Sequence, residues 1–154
     1  MFHCVNNIVR RGGYKNIVSL GFFCGPSQEL ERIGLRSFSL PFDWLITEDY
    51  KVVLSLIDSH FEGFLNEENL EQEIGVNPKY YYDTRQKIHF YHDFSASVEL
   101  RKQLPMVKQK YRRRIERFYK IISEPCLFIR YCFNKEEYCW VCEHIEQIRS
   151  FLKL

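Results

Sequence analysis

A single-domain α/β (or α+β) fold, with a small mixed sheet packed by helices, is the class this sequence predicts, and three observations carry the prediction. Two short apolar runs, Ile17 to Leu20 and Cys126 to Ile129, have strand length and lie far apart in the chain. Between and after them, apolar residues recur at helical spacing. The order of elements is strand, two helices, hairpin, helix, strand, helix, which suits neither a bundle nor a barrel. With 154 residues, 45% of them apolar and 16% aromatic, the chain can bury one real core but is short for two. The expected organisation is a leader over 1–15 and one domain over 16–154.

The first strand, 16–20, ends at Gly21, and the Gly25-Pro26 pair marks a turn before a helix over Ser27 to Ile33. Gly34 closes that helix. Leu35 to Leu45 reads as an ordered aromatic loop, because Pro41 blocks helix continuation. Thr47, followed by Glu48 and Asp49, opens a helix to about Ser59. Short helical turns are expected around Phe64 and Leu70. Tyr80 to Tyr82 and Lys87 to Tyr91 then form a hairpin, with Ile88, Phe90 and His92 on one face.

From Pro105 to Ser123 a long helix carries the stripe Val107, Tyr111, Ile115, Phe118 and Ile122. A strand over 126–131 follows. The last helix, Lys135 to Leu152, has Tyr138, Val141, Ile145, Ile148 and Leu152 as its stripe, and it reaches the C-terminus without a glycine or asparagine cap. A further strand would complete a β-α-β unit there, so the domain is expected to be truncated at its C-terminus.

The formal charge of +2 gives no strong field for nucleic acid or an anionic membrane. Neither a signal peptide over Met1 to Gly13 nor an apolar window of membrane-spanning length is present in the sequence. A cytoplasmic protein is therefore expected, with its six cysteines (Cys4, Cys24, Cys126, Cys132, Cys139, Cys142) reduced. The basic run from Lys108 to Lys120 lies mostly off the apolar stripe and reads as a solvated helix face. Cys132, Cys139, Cys142 and His144 lack the turn geometry of a zinc site, so no metal or other cofactor is expected.

Cys24 is the residue with most chemical promise, because it lies where a strand hands over to a helix. Unpaired N–H groups and the positive end of the helix dipole favour a thiolate in such a place. The alternative is a small buried hydrophobe. A cysteine nucleophile needs a base, and His92, at the end of a core-facing strand row, suits that role best among five histidines. Asp43, between Phe42 and Trp44, is either the partner of an imidazole or guanidinium or a loop cap accepting backbone N–H groups. Asp93 would point away from the His92 face.

Four segments carry a family resemblance: SLGFFC at 19–24, LERIGLRSFSLPFDWL at 30–45, FYHDF at 90–94, and YRRRIERF followed by LFIRY within 111–131. The chain resembles a bacterial family of unknown function described as papain-like cysteine peptidases. The resemblance implies a Cys24 nucleophile, a His92 partner and a peptide or other acyl substrate, and it places Asp43 and Asp93 in family motifs without settling which orients the histidine. Helix-start N–H groups would stabilise the oxyanion, since Phe22 and Phe23 stand where an oxyanion glutamine would be. Arg130 is inferred to be a buried cation paired with Asp43. The rival reading is a non-catalytic module whose Trp44, Tyr80, Tyr81, Tyr82 and Tyr91 line a carbohydrate or peptide surface.

Overall fold

Two strands distant in sequence, β1 (Asn16–Ser19) and β6 (Cys126–Ile129), pair in parallel, from Asn16 opposite Cys126 to Ser19 opposite Ile129. The computed structural model describes residues 13–73 and 80–152. The leader read over 1–15 therefore lies almost wholly outside the described residues, as does Cys4. Helix α1 (Gly25–Arg32) follows β1, then a 3₁₀ turn (Pro41–Trp44), β2 (Leu45–Thr47) and α2 (Tyr50–Asp58). A second 3₁₀ turn (Glu67–Asn69) leads into β3 (Leu70–Gln72), and β4 (Tyr81–Asp83) and β5 (Ile88–Phe90) make the hairpin. Helix α3 (Leu100–Ile122) precedes β6, and α4 (Lys135–Glu143) and α5 (Ile145–Phe151) follow it. The chain is thus a single mixed α/β domain.

Instead of one mixed sheet there are two among the described residues: the parallel pair, and four antiparallel strands in the order β2-β5-β4-β3. They meet where β1 runs out. Tyr131 N–H donates to Gly21 O at 3.1 Å, Phe22 N–H to Tyr131 O at 3.3 Å, and Thr47 N–H to Phe22 O at 2.9 Å. A single bond to β2 does not continue a ladder, so the sheets touch without merging.

Several boundaries differ from the sequence reading for local reasons. The Asp49 side chain, not Thr47, caps α2 by accepting from Lys51 N–H, which leaves Thr47 to end β2. Strands β2 and β3 are three residues long and, unlike the equally short β4 and β5, are not joined to each other by a short turn that marks a hairpin. Helix α3 starts five residues before Pro105, whose missing N–H forfeits one bond on an exposed face. The expected last helix is broken at His144, whose Nδ1 lies 2.9 Å from Trp140 O while its ring stacks on Trp140. Beyond the break Ile148 and Leu152 are buried, whereas Tyr138 and Ile145, read as part of the stripe, are exposed.

The aromatic content goes largely into the core. Phe118 is fully buried edge-on to Phe42 and Phe61, and Tyr111 packs against Phe64 and Phe90. Where the sheets meet, Arg130 donates to Leu20 O, Thr47 Oγ1, Thr47 O and Glu137 Oε1 at 2.6–2.9 Å. Glu137 in turn accepts from Tyr50 N–H and Phe133 N–H, both at 2.6 Å. Arg130 therefore pairs with Glu137 and not with Asp43.

Removing one partner of a buried ion pair strands the other charge. Glu137→Ala should cost about 3–5 kcal/mol in urea unfolding at pH 7. Tyr50 gives a second test. Burial pushes its phenol up to about 12 against the opposing pull of Arg130. Between pH 10 and 12 the unfolded phenol ionises while the folded one stays protonated, so stability falls as pH rises through that window. Tyr50→Phe should remove about 2 kcal/mol of that alkaline loss, read as a smaller stability difference between pH 9 and pH 12.

Candidate functional site

Gly21 sets the approach to Cys24. Its φ is +88°, and a Cβ there would lie 2.5 Å from Thr47 Oγ1 and 2.8 Å from Arg130 Nη1. The backbone can pass this close to β2 only without a side chain. After Phe22 and Phe23, Cys24 occupies the N-cap of α1, which begins two residues earlier than the sequence reading placed it. Pro26 stands in the first turn, which has no side-chain cap and no acidic side chain. The Cys24 thiol is half-buried, and among the described residues it has no hydrogen-bond partner.

Asp43 is fully buried and holds the frame around this helix start. Its Oδ1 accepts from Ser27 Oγ at 2.8 Å, and Oδ2 accepts from Leu40 N–H at 2.7 Å and Arg36 Nη1 at 3.0 Å. Of the sequence alternatives, it is both the guanidinium partner and the loop cap, and among the described residues no imidazole bonds to it. Ser27 and Arg36 were not singled out from the sequence, since nothing local marks either as a carboxylate partner. Burial raises the Asp43 carboxyl above its ordinary range despite these three donors, which pull it down.

His92 lies beyond the end of β5. Ile88 and Phe90 are buried as the alternation requires, but the strand stops at Phe90 and His92 is exposed, so the core-facing row does not reach it. Its ring meets Trp44 edge-on at 5.4 Å, and Trp44 Nε1 donates to Ser39 Oγ. Asp93 turns to α3, where its carboxylate accepts from Tyr111 Oη at 2.8 Å and pairs with Lys110 at 2.5 Å. Among the described residues, neither Asp43, Asp93 nor Cys24 hydrogen-bonds to His92.

The backbone nevertheless gathers these residues at one end of β2. Leu45 pairs with Phe90, so His92 falls beside the Asp43–Trp44 end. The Thr47–Phe22 and Ser27–Asp43 bonds make the segment around Cys24 run along the opposite edge of the same stretch.

A different histidine has the carboxylates. His89 Nδ1 lies 2.5 Å from Glu73 Oε1 and its Nε2 3.3 Å from Glu48 Oε1, with Tyr82 and Tyr91 against the ring. Sequence reading passed over it because the two glutamates come from distant segments. Among the described residues no group of three or more His, Cys, Asp or Glu could hold a metal ion. Cys139 and Cys142 are exposed on α4, and burial pushes the Cys132 thiol up.

The Cys24 thiol thus stands at the head of a helix reached from a buried strand, in a mixed α/β domain. The chain belongs to the family described as "Putative papain-like cysteine peptidase (DUF1796)", whose model matches residues 15–154. Uncharacterized protein R408 of Acanthamoeba polyphaga mimivirus is 28% identical over 133 residues, covering 73% of this chain. The chain spans 60% of that relative's length. Because this relative is viral, the bacterial origin implied by the resemblance has no support. No solved structure matches the chain.

Replacing Asp43 by Asn keeps the shape but leaves Arg36, whose side chain is 5% exposed, without its buried anion. Asp43→Asn should cost about 2–3 kcal/mol at pH 7 in urea unfolding. The wild-type carboxyl binds its proton more tightly folded than unfolded. Its contribution to stability therefore declines as pH rises from the ordinary carboxylate range through its raised value, and the variant should lack that decline.

Proposed function

We propose that this protein is a papain-like cysteine hydrolase or acyltransferase acting on peptide or other acyl substrates, with Cys24 as nucleophile and His92 as proton carrier. The observation that carries the reading is the Cys24 thiol at the N-cap of α1, without a hydrogen-bond partner among the described residues, in a chain that belongs to a family described in those terms. In the reaction, Cys24 Sγ forms a bond to the substrate carbonyl carbon, and the thiol proton passes to the His92 imidazole. The carbonyl oxygen, now negative, is held by backbone N–H groups at the helix start. As the tetrahedral carbon collapses, His92 returns the proton to the leaving group, and water or another nucleophile then releases the acyl group from sulfur. Hydrogen bonds between nucleophile and base are often long or unformed in substrate-free proteins, so His92 would leave the Trp44 edge when substrate binds.

In this reading Asp43 is a positioning residue. It grips Ser27, one turn into α1, and so fixes the helix whose first N–H groups meet the substrate. On the basic helix, Lys110, Arg114 and Arg117 turn to Asp93 and Ser39 O, while Lys108, Arg112, Arg113 and Lys120 form an exposed face. Among the described residues no helix is long and apolar enough to cross a membrane, and a cytoplasmic setting suits reduced thiols.

A binding module is the second reading. The Tyr80–Tyr91 contact at 4.0 Å and the Tyr82–His89 contact at 4.5 Å favour it, although Tyr81 is buried and lost to any such surface. Iodoacetamide labelling read by mass spectrometry separates the two. At pH 6 Cys24 should react at least about tenfold faster than exposed Cys139 and Cys142 in the same chain, and His92→Ala should remove the difference. Equal rates at all three cysteines would sink the catalytic reading in favour of the binding module.

A further inference from the structure

Four aromatic rings form a cluster that includes Phe22 and Phe23, the two residues before Cys24, and no step of the proposed reaction uses them. Phe22 contacts Phe23, Tyr131 and Phe133 at centroid distances of 5.4, 5.9 and 5.1 Å, and Phe23 contacts Tyr131 at 5.3 Å. Unlike the core rings, these face solvent: Tyr131 is 54% and Phe133 45% exposed, with Phe22 and Phe23 half-buried. A cluster of large apolar side chains kept at the surface marks a contact site more often than a packing accident.

Its mounting is rigid. Across the ends of β1 and β6, Phe22 N–H donates to Tyr131 O and Tyr131 N–H to Gly21 O, and Phe133 N–H is held by the buried Glu137 carboxylate. The platform also reaches the start of α1. A Cβ on Gly25 would lie 2.4 Å from the Phe23 ring, so that ring covers the first residue of α1, immediately after Cys24. A substrate carbonyl seated at Cys24 thus has an uncharged aromatic surface on one flank, with the Tyr131 hydroxyl as its one side-chain polar group.

We infer that this cluster is a specificity subsite, which takes an apolar, preferably aromatic, side chain flanking the carbonyl that Cys24 attacks. The inference rests on Cys24 as the reacting centre. The occupant is a substrate side chain and not a second copy of the chain, because the cluster is continuous with the nucleophile's own turn.

Protection of Cys24 tests it without requiring catalysis. At pH 8.5 any accessible thiol is alkylated by iodoacetamide, so the assay works whether or not Cys24 is activated. N-acetyl-phenylalanine methylamide should slow Cys24 labelling at least about tenfold relative to Cys139 and Cys142, while the glycine and aspartate analogues leave it unchanged. Gly25→Ala, whose methyl displaces the outer edge of the Phe23 ring, and Phe133→Ser, at an exposed position, should each raise the concentration needed by about fivefold or more. Equal protection by the glycine and phenylalanine amides, or none by either, overturns the subsite. Protection that grows with protein concentration alone means that a second copy covers the cluster, and overturns it too. Ordinary Cys24 reactivity at pH 6 together with selective protection at pH 8.5 would reject the catalytic reading while leaving an aromatic binding site. Activated Cys24 without selective protection would do the reverse.

Discussion

The buried Arg130–Glu137 pair is the interaction on which the arrangement of the domain depends. Arg130 leaves the end of β6 and reaches the last carbonyl of the β1 run and both polar groups of Thr47, so a single guanidinium ties the parallel pair to the antiparallel sheet. Glu137 extends the tie to α2 through Tyr50 N–H and to the loop before α4 through Phe133 N–H. The two sheets share only a thin backbone junction, so a directional charge network does what a continuous ladder would otherwise do. Burial of two charges is costly, and among the described residues Arg130 Nε has no hydrogen-bond partner, so the network specifies geometry more than it adds stability.

Asp43 plays a comparable part on a smaller scale. Its three donors come from α1, from the loop before the 3₁₀ turn and from Arg36, which also donates to Ser27 O. The carboxylate therefore fastens the helix that begins at Cys24 to the segment that carries Trp44. All of the Asp43 hydrogen bonds among the described residues serve this fastening, and none goes to an imidazole. Asp93 is similarly occupied with Tyr111 and Lys110, so both carboxylates near the histidine serve the frame.

What was legible in the sequence followed the reach of periodicity. The β1 and β6 runs, the hairpin and the α3 stripe through Val107, Tyr111 and Phe118 repeat often enough to be read. Strands β2 and β3 do not, and the break at His144 depends on a side chain competing for a carbonyl that helical spacing alone does not reveal. At the site, the turn placing Cys24 before a helix was visible because Gly21, Gly25 and Pro26 announce it. The partners of Asp43 and Arg130 were not, because charge complementarity has many solutions in one dimension. The local solution, Glu137 seven residues from Arg130, is the one realised. His92 was read one residue pair too far into a strand that ends at Phe90.

Gly21 shows how a residue without chemistry can share the fate of one that has it. The space its missing side chain would need is filled by Thr47 and Arg130, the atoms that join the sheets. Any side chain at position 21 must push apart the junction and swing the turn that follows. In a survey of random variants, position 21 would stand out beside position 24 as intolerant, and a map of tolerance alone would make the two indistinguishable. The proposed nucleophile and the glycine that sets its approach are three residues apart on the same piece of chain.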